Sequence, residues 1–254
     1  MSNQLIGFGS GGAGGEQPFL AVDFDGTGDS MARGAGLTGA VNSRQGIFSC
    51  WCRIDGGDSG NLRLAFAADT TSFIIDRNSS NFFSVNVAGG GTLTFRTVAT
   101  HQTSTTWKHF LASWDTNFSA GNKLSHLYIN DVSDKTVTSD LSAAFDIDYT
   151  QTDWWIGSNS APDTRWNGGL AEMYVAFGQF LDFSVEANRR KFISAAGKPV
   201  DLGPTGAEPT GTLPTIYQSV GTAGAAADFA SNRGSGGGFT LTGTLGLISP
   251  SPWA

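Results

Sequence analysis

From about residue 19 the chain is a series of short runs in which apolar and polar positions alternate, punctuated by turn residues. "FLAVDFDG" reads as a strand then a turn, and "GIFSCWCRID" as a strand closed by "GGDSG". "LRLAFAAD" and "SFIIDR" are strands parted by a short turn. "FFSVNVAG" and "TLTFRTVA" make a hairpin around Gly89, Gly90 and Gly91. "WKHFLASWD" pairs with "LSHLYINDV", and "DWWIGSN" and "GLAEMYVAFG" follow. Period-2 alternation with turn signals at this spacing predicts an all-β sandwich or barrel. One segment departs from it. "SVEANRRKFISAAG" has Ser184 as N-cap, Glu186 in the first turn and Gly197 as a stop, with Val185, Phe192 and Ile193 sharing a buried side, so it predicts a helix over 184–194. A Pro-, Gly- and Thr-rich connection fills 198–215. "GSGGGFTLTGTLGLI" then offers a last strand, and a return of this length can bring it beside early strands. No internal repeat of fixed period is present.

Composition supports the all-β reading. The 254 residues include 35 glycines but only four glutamates, so helix formers are scarce. The net charge of −7 comes without any basic stripe, which argues against nucleic acid and against anionic membrane surfaces as partners. No run reaches bilayer-spanning length, and "MSNQLIGFGSGGAGGEQPF" lacks the basic-then-apolar order of a signal peptide, so folding in a cytosol without secretion is expected. Cys50 and Cys52 point to one face of a single strand. That geometry suits buried apolar packing and neither a mutual disulfide nor a zinc site. Residues 1–18 form a Gly-rich arm that cannot bury enough surface to order itself. It is expected to be held by another subunit or a larger assembly, with residues 19–254 forming the sandwich.

Two histidine and tryptophan features follow from strand parity. His109 shares a face with Trp107, Leu111 and Ser113, with no second ligand two residues away, so it is expected to be structural. Trp154 and Trp155 must point to opposite faces, one to the core and one outward or under a loop. With Asn159, Asp163 and Arg165 in the following loop they are the candidate carbohydrate-binding residues. An indole supplies apolar area for a sugar face, and the amide, carboxylate and guanidinium orient its hydroxyls. In "GLAEMYVAF", alternation assigns Leu170, Glu172, Tyr174 and Ala176 to one face and Ala171, Met173, Val175 and Phe177 to the other.

"VDFDGTGDSM", "GIFSCWCRI", "WKHFLASWD", "LYIND" and "GGLAEMYVAFGQFLDFSVEANRRKF" occur in an order that resembles laminin-G-like, or concanavalin-type, lectin/glucanase jelly rolls over roughly residues 19–196. Asp131 departs from the glycine usual after the Asn. The resemblance implies a two-sheet antiparallel jelly roll with a mostly structural Glu172 and an apolar core position at Trp166. It also implies calcium as the candidate metal, with Asp23, Asp25 and Asp29 around the first turn; Asp in Gly-rich turns also serves turn chemistry alone. Glucanases of this kind carry E-x-D-x-E on one strand. Here Glu16, Glu172, Glu186 and Glu208 each lack an acid two or four residues away, and "DFDGT" and "DIDYT" have threonine at the fifth position. A catalytic set is therefore not expected, although a carboxylate pair drawn from separate strands stays open. The tail "PTGTLPTIYQSVGTAGAAADFASNRGSGGGFTLTG" is similar to extensions on such domains in structural proteins of tailed bacteriophages. This implies a non-enzymatic virion component (capsid decoration, head fibre or tail part) docked through residues 1–18, homo-oligomeric with a trimer expected, and facing a cell-surface glycan. A glycan-active hydrolase or lyase and a free lectin are the alternatives.

Overall fold

The computed structural model describes residues 20–67, 73–161 and 163–253; the arm at 1–18 lies outside them. The strands are β1 (Ala21–Asp25), β2 (Ser30–Arg33), β3 (Gln45–Ile54), β4 (Leu62–Ala67), β5 (Phe73–Arg77), β6 (Phe83–Ala88), β7 (Thr92–Arg96) and β8 (Ser104–Asp115). There follow β9 (Leu124–Ile129), β10 (Val132–Ser133), β11 (Thr136–Asp140), β12 (Trp154–Ile156), β13 (Asn167–Phe177), helix α1 (Glu186–Arg189), β14 (Ile216–Gln218), a 3-10 turn at Ala226–Ala230, β15 (Thr240–Thr242) and β16 (Gly246–Ile248). They form two antiparallel sheets of eight strands each. The first runs β10-β9-β8-β3-β13-β1-β16, with β14 also on β13; the second runs β11-β7-β6-β5-β4-β12-β2-β15. This is the jelly-roll sandwich the alternation predicts.

The second sheet shows why alternation was readable. In β6 and β7 the side chains of Val85, Val87, Leu93 and Phe95 enter the core, and the residues between them face outward. The first sheet is buried on both faces, which explains the near-continuous apolar runs of β3 and β13. Its inner face sends Phe48, Cys50, Phe110 and Trp114 into the inter-sheet core. Its outer face carries Ile47, Leu111, Tyr174 and Ala176, roofed by Phe183, Phe192, Leu202 and Tyr217 from the C-terminal third. Close packing sets individual residues. The indole of Trp114 lies against Gly46, where any Cβ would clash, and donates Nε1–H to the Tyr149 hydroxyl at 2.8 Å. Both cysteines are free and buried in the core, where burial pushes the Cys52 thiol up to about 12.

Late strands return to early ones, but as two elements in two different sheets. β15 pairs with β2 and β16 with β1, separated by a turn at Gly243. The predicted helix contracts to the four residues of α1. Ser184 does not cap it: its N–H and hydroxyl both go to the Asp182 carboxylate, at 2.8 and 2.6 Å, and Val185 takes the cap position. Val185 is exposed, while Phe192 and Ile193 enter two separate outer clusters, so the three share no buried side. Asp131 adopts φ 67° in the β9–β10 turn, the conformation its usual glycine would take, and its carboxylate holds Arg189 and Arg190 of the α1 segment at 2.5 and 2.7 Å.

Candidate functional site: the outer face of the second sheet

Strand β12 splits the two tryptophans as parity requires. Trp154 is 1% exposed in the inter-sheet core and donates Nε1–H to the Gln151 carbonyl at 2.9 Å. Trp155 faces outward, half-buried, and its indole N–H is itself buried with no hydrogen-bond partner among the described residues. Register then places Trp155 in a row that crosses the whole sheet. Thr240, Ala32, Trp155, Phe66, Ile74, Asn86, Thr94 and Ser139 are successive cross-strand neighbours from β15 to β11. Adjacent strands stand about 4.8 Å apart, so the row is an extended track with the Trp155 indole toward one end and the Asn86 amide and the Thr94 and Ser139 hydroxyls toward the other. The Thr94 hydroxyl already bonds the Asn86 side-chain oxygen at 3.3 Å. A parallel row holds Arg63, Asp76, Ser84 and Arg96. Asp76 is buried there, ion-paired to Arg63 and accepting from the Ser84 hydroxyl. Burial pushes its carboxyl up, against the pull of Arg63.

The loop candidates occupy other positions. Asn159 and Asp163 bond each other, side chain to side chain at 2.6 Å and Asp163 N–H to the Asn159 side chain at 3.2 Å. Arg165 donates to the Asp29 carbonyl at 3.0 Å, bracing the β1–β2 turn. Trp166 is fully buried in the core. Sequence reasoning missed Ile74, Asn86 and Thr94. Alternation in "SFIIDR", "FFSVNVAG" and "TLTFRTVA" gives their outward direction, but only strand register aligns them with Trp155.

The first turn is tightly wired. The Asp25 carboxylate accepts from Thr27 N–H, Thr27 Oγ1–H, Gly28 N–H and Asp29 N–H, and these donors hold it down at about 2. Asp29 is buried and accepts from Asp25 N–H and Thr244 N–H at 3.0 and 2.8 Å, which ties the turn to the β15–β16 connection. Asp23 sits on the outer face of the first sheet, where burial and then Asp55 push its carboxyl up. Oxygens of Asp25 and Asp29 are thus engaged by N–H donors. Among the described residues no group of three His, Cys, Asp or Glu side chains is placed to hold a metal ion.

Glu172 stays on the side of Tyr174 and Ala176, as alternation assigns, but Leu170 and Ala171 exchange faces. A β-bulge between Ala171 and Tyr174 puts Glu172 at φ 48°. Leu170, Met173 and Val175 therefore all enter the inter-sheet core, while Ala171, Tyr174 and Ala176 face outward. The Glu172 carboxylate is 2% exposed and accepts from the Tyr217 and Ser219 hydroxyls. Burial raises it to about 7, against the opposing pull of those hydroxyls. His109 is buried on the outer face of the first sheet, its Nε2 at 2.8 Å from the Ser49 hydroxyl and its ring stacked on Trp51 at 4.8 Å. Burial lowers its pKa to about 3, so the imidazole is neutral.

Two eight-stranded antiparallel sheets in this order define a concanavalin A-like jelly-roll module. Residues 25–176 match the Laminin_G_3 family model, and the chain belongs to this family of the concanavalin A-like lectin/glucanases superfamily. Among solved structures, a putative carbohydrate binding protein from Bacteroides ovatus aligns at 13% identity and a TM-score of 0.58, over 93% of this chain and 61% of that one. The heptameric SAP-like pentraxin of Limulus polyphemus aligns at 12% identity and a TM-score of 0.46, over 65% of this chain and 78% of that one. Mouse laminin α1 domains LG4-5 align at 11% identity and a TM-score of 0.48, over 66% and 45%. The likeness to the Bacteroides ovatus protein is one of fold. A comparison with curated proteins finds no match.

Proposed function

We propose that this chain is a non-enzymatic, glycan-recognising structural protein of a bacteriophage particle, with the Trp155 row as its binding track. The single observation that carries the recognition reading is the row itself: an outward, half-buried indole in register with Asn86 and Thr94, three and four strands away. One sugar ring stacks on the indole, and further units of the same glycan hydrogen-bond to the amide and hydroxyl groups about 14 Å along the row. The putative carbohydrate binding protein among the structural relatives supports this choice of ligand. The non-enzymatic reading rests on the state of the acids. Asp76 on this face is locked to Arg63, and Glu172 is sealed under Tyr217 and Ser219. The virion assignment rests on the resemblance of the sequence at 209–243 to extensions in tailed-phage structural proteins, with residues 1–18 as the arm that docks to other virion proteins and the sandwich outward.

Binding to a glycan array tests recognition. Trp155→Ala is expected to abolish it, and retained binding overturns the track. Release of reducing ends or unsaturated products from bound polysaccharide would replace the module with a hydrolase or lyase. Deletion of residues 2–18 is expected to exclude the chain from particles while leaving glycan binding intact. Unchanged incorporation removes the docking role, and failure to detect the chain in purified particles leaves a free lectin.

A further inference from the structure

A cavity of about 270 Å³ opens on the outer face of the first sheet, on the far side of the sandwich from the Trp155 row. Trp51 of β3 and Trp107 of β8 line it, from adjacent strands. Both indoles are held in place. Trp51 is 4% exposed and stacks on His109. Trp107 lies over Gly169, where any Cβ would meet its ring, and donates Nε1–H to the Pro250 carbonyl at 2.9 Å. Residues 250–252 form one lip of the cavity, with a backbone stiffened by Pro250 and Pro252. The turn that carries Gly197 and Lys198 forms another. There Ser194 N–H donates to the Lys198 carbonyl at 2.8 Å and Gly197 N–H to the Ser194 carbonyl at 2.9 Å, and a bridge from Ile193 to Pro199 closes the turn. Both lips lie outside residues 25–176, so the segment that matches the family does not by itself build this cavity.

The lining decides what fits. Thr105 and Thr106 are exposed at the rim and Ser251 is half-buried, so three hydroxyls, each able to donate and to accept, stand beside two indoles. An indole takes the apolar face of a sugar ring, and hydroxyls of this kind meet the ring's own hydroxyls. Lys198 is the one charged side chain among the described lining residues, and no carboxylate lines the cavity. A cationic ligand, which aromatic pockets otherwise attract, is therefore disfavoured. The volume falls below the roughly 300–1,000 Å³ of pockets that engulf drug-sized ligands, so the cavity admits one ring rather than an extended chain.

We infer that this cavity is a saccharide site of its own, taking a single pyranose unit with Trp107 as the stacking surface and the Thr105, Thr106 and Ser251 hydroxyls as polar contacts. It shares no residue with the Trp155 row, so either site can fail without the other. A lone hexose binds with a Kd on the order of 1 mM at the efficiency usual for small ligands, too weakly for an array to retain. An array therefore reads the Trp155 row, and free sugar at high concentration reads the cavity. The test is NMR titration of the full-length protein with the methyl glycosides of glucose, galactose, mannose and N-acetylglucosamine, following the Trp51 and Trp107 indole N–H signals. At least one sugar is expected to shift both signals saturably, in wild type and in Trp155→Ala alike. Thr105→Val/Thr106→Val, at exposed positions, is expected to keep the native spectrum and to weaken binding about tenfold, the loss of two neutral hydrogen bonds. Trp107→Ala is expected to abolish it. No saturable shift with any of these sugars overturns the inference. So does a shift confined to Trp155, or binding that the threonine pair leaves unchanged.

Discussion

The Tyr217 hydroxyl donates to Glu172 across 45 residues of chain, at the point where β13 changes partner. On one edge of β13, pairing with β1 ends at Leu170 and pairing with β14 begins at Met173. The bulge occupies the gap, and its acid binds the newcomer strand through Tyr217 and Ser219. A non-glycine residue at positive φ costs on the order of 1–3 kcal/mol, and these two bonds with the surrounding packing hold it in place.

This relationship predicts a pH dependence. The folded pKa of Glu172 is raised to about 7 from an ordinary 4.5. Its proton is thus held more tightly folded than unfolded. Its stabilising contribution is complete below about 4.5 and is lost as pH rises through about 7, by up to about 3 kcal/mol at 1.36 kcal/mol per unit. Arg233 and Asp201 act on the same group in opposite directions. Denaturant midpoints of wild type and Glu172→Gln are expected to converge at pH 4.5 and diverge above pH 7, with the glutamine variant the more stable. Parallel curves would refute the assignment.

His109 is expected to stay neutral. Burial depresses its folded pKa to about 3, so its contribution is present above pH 6.5 and is lost as pH falls toward 3. The His109 ring proton shift in NMR is expected to be flat from pH 8 to about pH 4, whereas an exposed histidine would titrate through that window.

The tryptophan pair separates stability from recognition. Trp154→Ala empties a core site and is expected to cost about 3–5 kcal/mol in chemical denaturation. Trp155→Ala is expected to cost far less and to abolish glycan binding. Equal destabilisation by the two would place Trp155 in the core as well.

The first turn predicts how its acids respond to metal. Asp29 accepts two backbone N–H groups, so Asp29→Ala is expected to cost about 2 kcal/mol. The loss should be the same in calcium and in EDTA. A loss seen only in calcium would make the turn a metal site.

The one-faced strands were legible because parity alone decides them: β5, β6 and β7 alternate as written. Parity also split Trp154 from Trp155, but it could not say which turned inward, because that depends on β2 and β4 flanking β12. The bulge at Glu172 left no mark in "GLAEMYVAF", where both faces are apolar and a one-residue slip changes no pattern. The 184–194 helix was overcalled because Asp182 competes for Ser184, a preference visible only once both side chains are placed. The Trp155 row joins residues from eight strands, and no local pattern encodes register across that distance.

The late strands β15 and β16 are also structural partners of the early ones. β16 forms one side of β1 and β15 one side of β2, so residues 240–248 close both sheets at once. Without them, the segment that matches the family exposes two open edges and the inner faces that Phe229 and Phe239 cover. Chains cut short before residue 240 are therefore left with strand edges free to pair with each other.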